Sequence, residues 1–377
     1  MKILILRPDN IGDVVLFSGT LKHLRKLYPD DHITLAVKDN IKNLVEFCPY
    51  VDRVTSIEEL KWRLSWLDKT TLPGKSRLKR VINKLNKYYN TISNPYNLII
   101  YPVKSPKLVH LKILNILSAK KVLGITGCSV NEPPTGYPSN LHPKELISIH
   151  YDVSDEDPWK HELYLNLYFL KFAGCNVDNI NEIMPEFWLS ESDNYLAGKL
   201  NNFQTIIGIF PGASSENKCW DSGNYAEFAR LTEDSPMYVI FGSSSDKELA
   251  SQVEASLRRG CSEAKIINLA GKTSLRELVS CIMSCSLFVG MDSCGLHIAV
   301  ASDIPSVGIT GGWHSGRFFP WGDPEKHILL TQKKDCFRCK KICKKRHVEC
   351  IQDVTPKDVA NAVNKLLNTN FKKVKYL

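Results

Sequence analysis

Three polar loops and one cysteine cluster hold the side chains of this 377-residue sequence that can do chemistry. The first loop follows a short apolar run, Leu287-Phe-Val289. Gly290 breaks the run, and Asp292, Ser293 and His297 come next, ahead of an apolar stretch ending near Ser302. Asp and Ser accept hydrogen bonds from the free N–H groups that open a helix. A strand, a polar turn and a helix N-terminus make a ready anion site in an open α/β sheet. Asp292 and His297 are five positions apart, so both can face the mouth of that turn. The plainer reading is a capped helix with a satisfied histidine. In the second loop, the run Ile206-Ile-Gly-Ile-Phe210 passes into Pro211-Gly212-Ala-Ser214-Ser215, with Lys218 just ahead of Trp220. A lysine is a point charge for an anion, and the two hydroxyls are donors; a solvated lysine is the alternative. The third loop, Arg7-Pro-Asp-Asn-Ile-Gly12-Asp13, follows the apolar run at 2–6. Asp13 is a carboxylate able to take a proton in a closing cleft, or simply a helix cap.

The cysteine cluster is Cys336, Cys339, Cys343 and Cys350, spaced Cys-x2-Cys-x3-Cys-x6-Cys with His347 nearby. Four thiolates this close suit one tetrahedral Zn or a mononuclear Fe. The Lys and Arg residues around them favour thiolates over thiols. Reduced thiols packing a short basic tail are the alternative. The other eight of the twelve cysteines are scattered and read as small buried hydrophobes.

The elements that position these loops follow from composition and pattern. The chain is longer than one typical domain, so two α/β domains are expected. A hydrophobic content of 43% can supply a core. The formal net charge of +9 favours anionic partners. It is uneven: from Lys61 to Lys87 there are nine bases against Asp68 alone, with Trp62, Trp66, Tyr88 and Tyr89 among or beside them. That insert is either a solvated helical face or a surface for a membrane or acceptor. The first apolar run stops at Arg7, too soon for a signal peptide. No stretch is long enough to span a bilayer, so a cytoplasmic protein is expected.

Strands are predicted at 2–6, 32–37, 53–56, 97–101 and 121–123, and helices at 13–28, 41–48, 106–117 and 161–173. This β-α-β rhythm argues for a parallel sheet. A long loop is expected at 131–158 and a crossing between domains at 175–202. The rhythm then repeats, with strands at 206–210, 237–241, 265–269, 287–289 and 306–309. Helices are expected near 223–233, 246–258, 274–285 and 293–302. The last helix, 355–367, opens with Thr355-Pro-Lys-Asp358, an N-terminal signature. No Gly-x-Gly-x-x-Gly follows the first strand and there is no P-loop, which argues against a dinucleotide oxidoreductase or an NTPase.

Together, Arg-x-x-x-x-Gly-Asp ending at Asp13, Pro-Gly-x-Ser…Lys-x-Trp ending at Trp220 and Asp-Ser-x-Gly-x-His ending at His297 resemble the family 9 glycosyltransferases, the heptosyltransferase group. The resemblance spans most of the chain and is weakest between about residues 60 and 160. One departure stands out: the family usually has Gly-Pro where this chain has Cys294-Gly295, which leaves the shape of that turn open. The resemblance implies an α/β, GT-B-like fold with two doubly wound Rossmann-like domains facing across a cleft. These would be an acceptor-binding domain at 1–190 with the basic insert at 61–90, and a nucleotide-sugar-binding domain at 203–330. The cysteine-rich tail and final helix would make up 331–377, with the final helix, 355–367, packing back on the first domain.

The implied reaction moves a sugar, heptose from ADP-heptose, onto a lipopolysaccharide core or related anionic glycolipid acceptor. Asp13 would be the base, with Gly12 letting the acceptor approach the backbone. Lys218 would stabilise the leaving diphosphate, helped by Ser214 and Ser215. Asp292, Ser293 and His297 would serve the donor side, and Gly242 with residues 269–272 would line base and ribose. Transfer in this class needs no metal cofactor; a structural Zn or Fe at Cys336, Cys339, Cys343 and Cys350 is a separate expectation. Contact with the inner face of the inner membrane is expected, and nucleic acid is not. Two rivals remain: transfer to a protein, as in autotransporter heptosyltransferases, and, in another class, a basic metal-clustered nucleic-acid-binding protein, which two sheet domains do not require.

Overall fold

The computed structural model describes residues 1–60, 96–104, 106–117, 119–126, 146–153, 159–200, 203–339, 343, 348–369 and 371. The basic insert at 61–90 and most of the loop expected at 131–158 lie outside the described residues. The chain divides into two compact units, residues 1–158 with 163–184, and residues 159–162 with 185–377.

The first unit is built on six parallel strands: β1 (Lys2–Leu6), β2 (His32–Val37), β3 (Arg53–Ser56), β4 (Leu98–Tyr101), β5 (Lys121–Thr126) and β6 (Ile149–Asp152). Their order is β3-β2-β1-β4-β5-β6. The central strands are continuous apolar runs, as a sheet covered on both faces requires; Ile3, Leu4, Ile5 and Leu6 are all at most 1% exposed. The helices are α1 (Ile11–Ser18), α2 (Leu21–Leu27), α3 (Lys42–Val45), α4 (Leu108–Leu117) and α5 (Glu162–Phe172).

Two expectations fail here. The single helix expected at 13–28 is α1 and α2, broken at Gly19-Thr20. Thr20 closes the first helix with a short-range turn, its N–H and its hydroxyl both donating to the Phe17 carbonyl. A Cβ on Gly19 would lie 2.1 Å from the Met184 carbonyl oxygen, so only glycine lets that distant backbone seat itself against the break. The second miss is β6, in a stretch expected to be loop. It pairs with β5 alone, and three of its four residues are exposed, so it carries no apolar run to announce it.

The second unit repeats the plan with β7 (Ile206–Phe210), β8 (Met237–Ile240), β9 (Ile266–Asn268), β10 (Leu287–Met291), β11 (Ser306–Ile309) and β12 (His327–Leu330). All pairings are parallel, in the order β12-β11-β10-β7-β8-β9. The edge strand β12 was also missed. The helices are α6 (Tyr195–Leu200), α7 (Asn224–Leu231), α8 (Lys247–Gly260), α9 (Leu275–Met283), α10 (Cys294–Ala301), α11 (Glu349–Gln352) and α12 (Pro356–Leu367).

Helix α12 starts where its signature places it. Thr355 and Asp358 cap one another, each side chain accepting from the other's backbone N–H at 3.1 Å. Its apolar face, Val359, Ala360, Val363 and Leu366, joins Trp220, Tyr225, Phe228 and Ile309 in one buried cluster. The final helix therefore packs into the second unit's core, not back on the first domain as expected. The tail before it clusters with the same unit.

In each sheet the strand order reverses once, between β1 and β4 and between β7 and β10. Open α/β sheets bind ligands outside the carboxyl ends of their strands at such a reversal. The loops singled out from the sequence begin at those ends.

Candidate functional site

In the first unit the loop after β1 is organised by Arg7, whose side chain is 1% exposed. Its guanidinium donates to the Pro102 carbonyl beyond β4 and to the Asp13 carbonyl at 3.2 Å. It lies 3.3 Å from the Asp9 carboxylate and over the Phe17 ring. One buried cation thus ties the ends of β1 and β4 to the first turn of α1. Asp13 occupies the third position of that helix, half-buried, and its carboxylate accepts the Asn10 N–H at 3.1 Å. In this geometry it is the third-position partner of the N-cap Asn10 in a capping box. Lys38 donates to the Asn10 side chain at 2.8 Å. Burial, then the neighbouring Lys107, hold the Lys38 ammonium below its usual range. Gly12, beside Asp13, is partly exposed at the same turn.

In the second unit the turns after β7, β8 and β10 hold the other candidates. Ser293 is the N-cap of α10, and its hydroxyl is buried with no hydrogen-bond partner among the described residues. A buried donor without a partner costs about 1–3 kcal/mol, so this hydroxyl is suited to a ligand group at the helix N-terminus. Asp292 precedes it, half-buried. The Cys294-Gly295 departure leaves the helix start intact. A Cβ on Gly295 would meet the Phe210 ring at 2.6 Å, so this glycine serves close packing of α10 on the end of β7.

Lys218 sits at the end of a short turn, Glu216–Lys218, with its ammonium 5.0 Å from the Trp313 ring centre. The loop behind it is firmly held. Trp220 is buried and donates to the Val354 carbonyl at 2.9 Å, and Gln352 donates to the Cys219 carbonyl at 2.8 Å. Ser214 and Ser215 are exposed on the same loop.

Sequence reasoning missed Asp246. Its carboxylate accepts the N–H and hydroxyl of Ser243, at 2.7 and 2.6 Å. Cβ atoms on Gly212 and Gly242 would lie 2.7 Å and 2.9 Å from its side chain. One carboxylate thus fills the space between the ends of β7 and β8 that both glycines leave open. The signal was present as Ser243-x-x-Asp246, a capping spacing. Also missed was the aromatic run Arg317–Trp321.

That run explains His297, which does not stand in the open mouth of its turn. It is 4% exposed, accepts a hydrogen bond at Nδ1 from Trp321 Nε1 at 3.3 Å, and stacks on Phe319 with ring centres 4.4 Å apart. Burial, then the nearby His161, hold its imidazole down at about 3. Burial likewise holds His327 down at about 4. In the unfolded chain both imidazoles titrate near 6.5. Between those values the unfolded chain binds protons that the folded one refuses, so stability falls as pH is lowered. The full contribution is present above 6.5 and shrinks towards 4, by at most about 1.4 kcal/mol per pH unit for each histidine. Melting temperature should therefore drop between pH 7 and 5, and His327→Gln should flatten that slope. A level profile over this window would contradict the buried neutral histidines.

Cys336, Cys339, Cys343 and Cys350 converge from the tail to line one cavity, together with Trp313, Lys334, Val348 and Glu349. Burial raises the Cys350 thiol, and the other three cysteines add to the rise. At that residue the direction is opposite to the expectation of a basic tail favouring thiolate. Among the described residues no three or more His, Cys, Asp or Glu side chains stand in metal-holding geometry.

The pattern of glycosyltransferase family 9 (heptosyltransferase) matches residues 128–347, more than half of the chain. The chain belongs to that family. Its members transfer a sugar from an activated donor. This family 9 chain is 24% identical over 380 residues to the lipooligosaccharide heptosyltransferase 2 of Haemophilus ducreyi, covering 97% of this chain and 99% of that protein. To the lipooligosaccharide heptosyltransferase 2 of a Campylobacter jejuni strain it is 27% identical over 210 residues, 55% of this chain. That match spans 65% of the Campylobacter protein, just under two thirds of its length. Among solved structures it resembles the E. coli ADP-heptose lps heptosyltransferase II, with a TM-score of 0.67, 20% identity and coverage of 97% and 98%. That likeness is one of fold, and it is the GT-B-like fold expected from the sequence.

Proposed function

We propose that this protein is a heptosyltransferase that takes heptose from ADP-heptose and adds it to a lipopolysaccharide or lipooligosaccharide core. The observation that carries the reading is the 220-residue family match laid over a sheet whose reversal point presents helix α10 with an orphaned Ser293 hydroxyl. In this reading the acceptor hydroxyl gives its proton to Asp13 as it attacks the anomeric carbon, and the bond to the nucleoside diphosphate breaks. Lys218 and the N–H groups opening α10 take up the charge that develops on the diphosphate. Ser293 and Asp292 hold the donor. Asp246 keeps the turns beside it in shape. His297, neutral and boxed by aromatic rings, sets the packing of α10 beneath the donor. None of these steps draws on a metal.

Incubating the purified protein with ADP-heptose and a heptose-deficient core acceptor should give a product heavier by one heptose in mass spectrometry. Transfer from a different sugar nucleotide would move the donor assignment. Transfer to a peptide acceptor instead of the core would favour the protein-modifying rival. No transfer and no donor hydrolysis with any sugar nucleotide would overturn the reading.

No helix among the described residues is long and apolar enough to cross a membrane. The acceptor is an anionic glycolipid, and the sequence from Lys61 to Lys87 is strongly basic with interleaved Trp. We assign that insert to the acceptor or the membrane surface that presents it. Charge reversal at Lys79, Arg80 and Lys84 should weaken binding to anionic liposomes and raise the acceptor KM while the donor KM stays put. Loss of both together, or of neither, would remove the insert from acceptor handling.

A further inference from the structure

We infer that Lys38 is a positioning residue for Asp13: it braces the Asn10 cap, and through that cap it aims the carboxylate that takes the acceptor's proton. This rests on the reading of Asp13 as the base. Strands β1 and β2 lie side by side in parallel, Leu6 opposite Ala36, and the Arg7 N–H donates to the Ala36 carbonyl at 2.9 Å. Lys38 therefore leaves the carboxyl end of β2 next to the loop that follows β1. Its root is fixed. The Lys38 carbonyl accepts the Ile41 N–H at 2.9 Å, and the Asp39 N–H donates to the Glu58 carboxylate at 3.0 Å. From that root the half-buried side chain reaches across to donate to Asn10 Oδ1 at 2.8 Å.

Asn10 joins the lysine to the base. It is the N-cap of α1, and its N–H donates to the Asp13 carboxylate at 3.1 Å. Asn10 is exposed, so water competes for that bond and the cap has freedom to swing. Lys38 ties it down from a neighbouring strand, and a hydrogen bond from an ammonium is stronger than one between neutral groups. The charges around Lys38 suit a tie and not a contact to an anionic substrate. Asp9, Asp13 and Glu58 act on its ammonium against the like charge of Lys107, so protein carboxylates already balance it. Without the tie the cap loosens and the carboxylate wanders with it. A reacting group displaced by about 1 Å loses about 10²-fold in rate.

Lys38→Met in the full-length protein should lower kcat by about 10- to 100-fold, with donor KM and melting temperature close to wild type. Lys38→Arg, which keeps a charged donor, should restore most of the loss. Lys26→Met, at an exposed position of α2, should change nothing. A double-mutant cycle tests the route: in an Asn10→Ala background Lys38→Met should cost nothing further. Amide hydrogen exchange gives a readout independent of transfer. At residues 10–14 it should quicken several-fold in Lys38→Met and return to the wild-type rate in Lys38→Arg. Unchanged exchange overturns the brace, whatever happens to kcat. Faster exchange with wild-type kcat, while Asp13→Asn is inactive, overturns the link to chemistry and leaves the base in place. A further loss in the Asn10→Ala background overturns the route through the cap, because Lys38 then acts directly. Asp13→Asn transferring at the wild-type rate sinks the base itself and this role of Lys38 with it, whatever the exchange shows.

Discussion

Asp13→Asn folds as the wild type does and loses sugar transfer by about 10²–10⁴-fold, the usual worth of a positioned general base. The substitution separates the two roles that the geometry gives this side chain. As a cap, Asp13 accepts the Asn10 N–H at 3.1 Å, and an asparagine oxygen at the same place still accepts it. At this third helical position the change removes a negative charge from the helix N-terminus, worth about 0.3–1 kcal/mol, so the cost in stability stays within about 1 kcal/mol. As a base, Asp13 must take a proton, and an amide does not. The buried Arg7 keeps its bonds to the Asp13 and Pro102 backbone carbonyls in the variant. Transfer rate and melting temperature measured on the same preparation decide the matter. A variant that transfers at near wild-type rate makes Asp13 a cap and nothing more. A variant that loses both rate and several degrees of melting temperature shows the cap to be the larger role.

Lys218→Ala is the second large effect, a loss of about 2–4 kcal/mol in donor kinetics if this lysine stabilises charge as other preorganised donors do. The structural cost is small. The lysine is half-exposed and stacks on Trp313, a contact worth about 0.5–1 kcal/mol at such sites. Its loop is held by Trp220 and Gln352, neither of which needs the ammonium. The loss should therefore appear in kcat, donor KM or both, with acceptor KM and melting temperature close to wild type. Lys218→Arg should recover part of it, since charge returns in a different shape. Unchanged donor kinetics in the alanine variant would reduce Lys218 to a lysine packed on a tryptophan.

Much of the frame was present in the sequence. The strands at 2–6, 32–37, 53–56, 206–210 and 306–309 are found with the bounds expected, and those at 2–6, 32–37 and 206–210 are compact, mainly apolar runs closed by polar or turn residues. The start of α12 was equally local, a Thr and an Asp three positions apart that cap each other. The motif loops fell at the ends of β1, β7 and β10 for the same reason: a strand pattern ends, and polar residues follow.

What the sequence left open depends on contacts between distant positions. Strand β6 pairs on one side only and three of its four residues are exposed, so it lacks the apolar run of a covered strand; β12, an edge strand as well, does carry one, Ile328-Leu-Leu330, but it is only three residues long. The break between α1 and α2 rests on the backbone at residues 183–184, far along the chain from Gly19. Asp246 could be read as a cap, but its place between Gly212 and Gly242 exists only once β7 and β8 lie side by side. His297 was legible as a polar residue in a donor turn; the rings of Phe319 and Trp321 turn it into a buried neutral one. The spacing of the four cysteines suggested an ion, while the cavity they share, and the Trp313 wall that joins it to Lys218, appeared only in three dimensions. Local pattern fixes strands, caps and turns because their energies lie between neighbours in the chain. A site is decided by burial and by approach across a sheet, and those are set by the fold as a whole.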